Sequence, residues 1–69
     1  ALRDPYDVLG IPAQASIEDA RAAWRVAVKE SHPDVMIARG VPVEAVKLAE
    51  RRLIAINAAW DEIQSRQAA

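Results

Sequence analysis

Ile17, Ala20, Trp24, Ala27, Val28 and Ser31 fall on one side of a helix at about 100° per residue. They predict one apolar face over residues 17–31. Ser16, with Asp19 three residues on, is a capping-box-like start for it. Val46, Ala49, Leu53, Ile56, Trp60 and Ile63 then alternate spacings of three and four. That is the seam of a longer helix packed against another, expected over residues 42–65, with Pro42 in its first turn. Upstream, Tyr6 and Leu9 share one face of a short helix over residues 5–9. Asp4 and Pro5 open that helix and Gly10 closes it. "IPAQA" reads as a connector. Residues 32–41 are expected to form a loop, irregular or at most one turn from Val35 to Val41, with Gly40 as a cap or loop glycine. The tail "QSRQAA" is expected to fray. Two helices joined by so short a connector make an antiparallel pair, with the first helix laid across it: an all-α domain.

Composition constrains how such a pair is held. The chain has 69 residues, one domain's worth. Fifteen are alanine, there is no Phe, and Trp24, Trp60 and Tyr6 are the aromatic residues. The core must therefore be thin, built by close approach of small faces. The absence of cysteine removes disulfides and thiolate metal sites, so helix packing alone must supply stability. Trp24 and Trp60 lie on the seams and read as core, each with an indole N–H that needs an acceptor or an exposed edge. Asn57 sits at the seam's edge in a structural role. Val26 and Ile54 fall off the apolar stripes and are expected at the surface. Lys47, Arg51 and Arg52 have Glu44 and Glu50 within reach as solvated pairs.

The net charge of −1 argues against nucleic acid or an anionic membrane surface as a general partner. No apolar run approaches the length of a membrane span. The charge is unevenly distributed, however, with Arg21, Arg25 and Lys29 recurring every four residues in a single basic stripe on the second helix. The stripe runs toward His32-Pro33-Asp34, which holds the only histidine of the chain. Pro33 disfavours helical geometry at His32, so the helix should end there. A histidine near an aspartate raises the question of catalysis. Nucleophilic chemistry also needs a held nucleophile, an oxyanion-stabilising environment and a pocket, and none is suggested. One His and one Asp are too few for a metal site. As structure, the tip is a helix stop with an exposed imidazole. As recognition, a stiff loop presenting an imidazole and a carboxylate loses little entropy on binding.

"DPYDVLGIP", "ASIEDARAAWRVAVKESHPD" and "AERRLIAINAAWDEI" together resemble the J domain of DnaJ-type co-chaperones. The likeness runs from Asp4 to about Ile63, in a domain of 1–69 whose core is residues 4–64. The residues that carry it are Tyr6, Leu9 and Gly10, then His32, Pro33 and Asp34, then Ala49, Leu53, Ile56, Asn57, Ala59 and Trp60. The resemblance implies a J-domain fold: a helical hairpin with a short helix across it and the family's fourth helix absent or truncated. It implies a module that is not itself an enzyme and takes no cofactor or metal. Such a module binds a DnaK-class chaperone ATPase and stimulates its ATP hydrolysis. His32, Pro33 and Asp34 would be the essential motif, and Arg21, Arg25 and Lys29 would meet an acidic partner surface. A monomer is expected, with no nucleic acid and no direct membrane contact.

Ala22, Val26 and Glu30 stand where the family often has bases, and Val35 replaces a common lysine. The segment from His32 to Leu53 is about two turns longer than usual for the family. "HPDVMIARGVP" with the long last helix is similar to the C-terminal J domain of DjlA/TerB-type proteins. That likeness implies a cytoplasmic domain, with a further region before Ala1 as a candidate membrane tether. A J-like scaffold that stimulates nothing is the alternative, and a nucleic-acid-binding helix pair is a more distant one.

Overall fold

Asp4 sets the start of the first helix, its Oδ1 accepting the Tyr6 N–H at 2.9 Å. Pro5 takes the first helical position, where a missing N–H costs no hydrogen bond. In the computed structural model, which describes residues 4–68, this produces α1 over Pro5–Leu9. Residues 1–3 and 69, placed inside the domain by the sequence reading, lie outside the described residues. Gly10 ends α1 with φ 70°, and its N–H and that of Ile11 return to the carbonyls of Asp7 and Tyr6. This is a Schellman turn, which glycine enters without a Cβ penalty.

The second helix, α2 over Ile17–Ser31, is capped by Ser16, whose Oγ accepts the Asp19 N–H at 3.1 Å. His32 ends it in an extended conformation. The connector that follows is more ordered than expected. Pro33–Ala38 form a helix of their own, α3, where a loop over residues 32–41 was expected, irregular or at most one turn from Val35 to Val41. Proline permits this break and restart, since it cannot continue α2 yet has the φ required of a first helical residue, and α3 then packs against α4. His32 thus closes one helix and caps the next.

The turn out of α3 repeats the Schellman pattern, with Gly40 N–H donating to Ile37 O at 3.0 Å and Val41 N–H to Met36 O at 3.1 Å. Gly40 has φ 74° and open space where a Cβ would stand. Gly40→Ala is therefore opposed by backbone strain alone. It is expected to cost about 1 kcal/mol, read as a thermal midpoint lowered by roughly 4–8 °C.

The last helix, α4, runs Val43–Ala68. Pro42 lies just before it and offers its carbonyl to the N–H groups of Ala45 and Val46. The expected end at 65 and the frayed tail are corrected: helical structure continues to Ala68. Ile63 is fully buried and anchors that end, Glu62 and Arg66 pair across one turn at 3.0 Å, and "QSRQA" contains no helix breaker. At 1.5 Å per residue a helix of this length measures about 39 Å, close to the 41 Å longest dimension of the protein. Helix α4 is thus the spine on which the others are laid.

Helices α2 and α4 run antiparallel: Trp24 meets Asn57 and Trp60, while Ser31 at the far end of α2 faces Ala45 and Ala49. Helix α1 packs mainly on α4, and also on α2. The core is Tyr6, Leu9, Ala20, Ile56, Ala59, Trp60 and Ile63, with Ile17, Ala23, Trp24, Ala27 and Val28 half-buried around it. Ala20 and Ala59 are almost wholly enclosed, which is how an alanine-rich chain brings helix axes close. Val26 and Ile54 are exposed. Among the described residues there is no strand, and no helix follows α4. No helix there is long and apolar enough to cross a membrane. The architecture is all-α, a hairpin of α2 and α4 with α1 across it and α3 inserted at the tip.

Candidate functional site

The tip is built where α2 stops. His32 has φ −69° and ψ 124°, the extended geometry of an N-cap residue. Its imidazole folds back along its own chain, so that Nδ1 accepts the Asp34 N–H at 3.2 Å. A ring nitrogen that accepts carries no proton. In the neutral imidazole the hydrogen therefore sits on Nε2. The same Nδ1 lies 3.9 Å from Asp34 Oδ2. The His32 side chain is 44% exposed and that of Asp34 is 86% exposed. Asp34 thus gives its backbone to the fold and leaves its carboxylate in solvent. Pro33 is half-buried between them.

Arg21, Arg25 and Lys29 are all exposed on α2. At four-residue spacing they span about 12 Å along the helix, and Lys29 lies one turn before His32. Among the described residues none of them has a carboxylate within 4 Å. The three cations are free of such pairs on the flank that leads to the tip, so the fold joins the stripe and the tripeptide at one end of α2. The pairs expected for Lys47, Arg51 and Arg52 with Glu44 and Glu50 are not formed among the described residues, where the α4 ion pair is Arg66–Glu62. Exposed pairs gain little over separate hydration, and these side chains stay solvated.

Two features escaped sequence reasoning. Trp24 and Trp60 stack, their ring centroids 5.5 Å apart and their planes inclined by 15°. The indole N–H of Trp24 donates to Asn57 Oδ1 at 2.9 Å. That bond gives Asn57 its structural role and answers the need for an acceptor. The signal existed in the need for a partner but not in its address, because the two residues are 33 positions apart. The second feature is apolar surface beside the tip. Ile37 on α3 and Leu48 on α4 are exposed, and Met36, Ala45 and Leu48 line a shallow cleft of about 310 Å³ with Ser31 and Arg52. A period-based reading could not place Met36 and Ile37, because it assigned them to no helix.

A larger groove of about 660 Å³ lies between α1, α2 and α4, floored by Val8, Ala27 and Ile56. His32 and Asp34 line neither depression. The tip is a projection rather than a pocket, suited to contact with another surface. Among the described residues no three His, Asp or Glu side chains are grouped as metal ligands.

No protein-family model matches the chain, and no solved structure matches it significantly. Curated relatives do. The chain is 36% identical over 67 residues to the co-chaperone protein DjlA of Shewanella oneidensis, covering 97% of this chain and 26% of that protein. It is 33% identical to the DjlA of Photobacterium profundum, over 96% of this chain and 24% of that protein. With the DjlA of Coxiella burnetii it shares 32% identity over 91% of this chain and 23% of that protein. The chain thus spans about a quarter of the length of the relatives it matches. With 33–36% identity to proteins named DjlA along nearly all of its length, and an all-α hairpin crossed by a short first helix, this chain is similar to a part of DjlA and consistent with a DjlA-like J domain.

Proposed function

We propose that the domain is a co-chaperone module that binds a DnaK-class chaperone ATPase and speeds its ATP hydrolysis. It hydrolyses nothing itself. The observation that carries this reading is a stiff, capped tip with an exposed carboxylate at the end of a basic stripe that has no carboxylate within 4 Å among the described residues. The relatives named co-chaperone proteins support it. In this reading Arg21, Arg25 and Lys29 steer and orient the encounter with an acidic surface, and His32, Pro33 and Asp34 make the specific contact. Charges spread along a helix accelerate association and set register, while a short-range pair at the tip discriminates between partners. Asp34 pairs with a basic side chain of the ATPase, and Pro33 holds the loop so that little entropy is lost on docking. The domain acts as a monomer in the cytoplasm, without cofactor or nucleic acid.

The test is single-turnover ATP hydrolysis by a DnaK-class chaperone with increasing domain. The rate should rise to saturation, with a half-saturating concentration that increases with salt as the steering charges are screened. An unchanged rate across the whole concentration range would refute the proposal.

A further inference from the structure

We propose that His32 is a proton-gated cap: its neutral, Nε2–H form holds the start of α3 through Nδ1, and protonation exchanges that bond for a contact with the Asp34 carboxylate. The geometry supplies both partners at one atom. Nδ1 is 3.2 Å from the Asp34 amide nitrogen and 3.9 Å from Asp34 Oδ2, so a small rotation of the ring moves it from one to the other. While Nδ1 has its lone pair it can only accept, and the N–H is the available donor. When Nδ1 takes a proton from solvent it can only donate. The N–H then loses its acceptor and the carboxylate gains a cationic donor. Imidazole is the side chain whose charge ordinarily changes between pH 5 and 8.

Other charges near the tip do not offer the same exchange. From α2 come Lys29 and Glu30, both exposed. From α4 comes Arg52, which lines the cleft beside α3 together with Glu30. On α3 itself, Asp34 is the carboxylate within 4 Å of the imidazole among the described residues. Acid therefore does two things at once: it loosens the first turn of α3 and ties up the carboxylate that otherwise faces solvent. The consequence for the ATPase rests on the function proposed above. The switch itself is read on the domain without a partner.

The experiment is a pH titration of the nitrogen-15-labelled domain by NMR, reading the His32 ring nitrogens and the exchange protection of the α3 amides. His32→Asn serves as the comparison, because its Oδ1 occupies the position of Nδ1, can accept the same bond and does not titrate. At pH 8 the ring is expected as the Nε2–H tautomer. As the imidazole titrates, protection at Asp34 and Met36, corrected for intrinsic exchange, should fall about fivefold, the scale of a lost cap. In His32→Asn the protection should hold over the same range. An Nδ1–H tautomer at pH 8 would overturn the proposal, as would protection in α3 that ignores the imidazole titration or falls equally in His32→Asn.

Discussion

Asp34→Asn is expected to return the chaperone ATPase to its unstimulated single-turnover rate while the domain keeps its fold. The Asp34 side chain is 86% exposed, and its structural duty is discharged by the backbone N–H that His32 receives. Asparagine has the same shape and retains that N–H. The variant forfeits a negative charge near the start of a short helix, worth about 0.3–1 kcal/mol. Its thermal midpoint should therefore fall by less than about 8 °C. Binding is another matter. Removing one member of a desolvated charge pair costs about 2–5 kcal/mol, a loss of roughly thirtyfold or more in affinity. Helical circular dichroism and single-turnover kinetics on the same preparation check both halves. Stimulation within twofold of the unsubstituted domain would show that Asp34 is not the specific contact. Loss of the helical signal would show the tip to be structural instead.

Ile56→Ala is expected to remove about half of the stability of the domain. Ile56 is 1% exposed and belongs to the cluster in which α1, α2 and α4 meet. A large-to-small change at such a site costs about 2–5 kcal/mol, through lost burial and the cavity left behind. A domain of this size has roughly 3–10 kcal/mol in total. The midpoint of thermal unfolding should drop by about 10–25 °C. Ile54→Ala, two residues away and 70% exposed, should change stability by less than about 0.5 kcal/mol. Circular dichroism melts of both variants separate the seam from the surface, and equal effects would contradict the packing described.

The contrast between Ile54 and Ile56 also shows what can be read from a pattern. Periodicity placed Ile56, Trp60 and Ile63 on a buried stripe and left Ile54 and Val26 off it, since a helix with one neighbour buries one side only. Capping chemistry was equally legible at Asp4, Ser16 and Gly10, because it depends on residues at most a few positions apart. Pro33 was read for only one of its two effects. It marked the end of α2, but nothing local said that six residues would gain enough to form α3. That gain comes from packing against α4, a contact remote in sequence. The tail misled for a similar reason: polar residues near a terminus suggest fraying, yet Ile63 is clamped in the core and holds the helix beyond it.

The candidate site divides along the same line. Its members were identifiable as residues: Arg21, Arg25 and Lys29 by their spacing, His32, Pro33 and Asp34 by their rarity and stiffness. That the stripe leads to the tip was legible as well, but the orientation of the His32 ring was not. The direction of the imidazole, with Nδ1 turned to the Asp34 N–H, follows from the backbone angles at His32 and the start of α3.

The bounds of α1 and α2, the apolar faces, the caps at Asp4, Ser16 and Gly10 and the basic stripe were determined by the sequence itself, because each arises from interactions within one or two turns. The stacking of Trp24 on Trp60, the bond from Trp24 to Asn57, the formation of α3 and the cleft beside it were decided only by tertiary structure. Each needs surfaces from separate helices to meet, and the geometry of that meeting is set by how closely alanine faces allow α2 and α4 to approach.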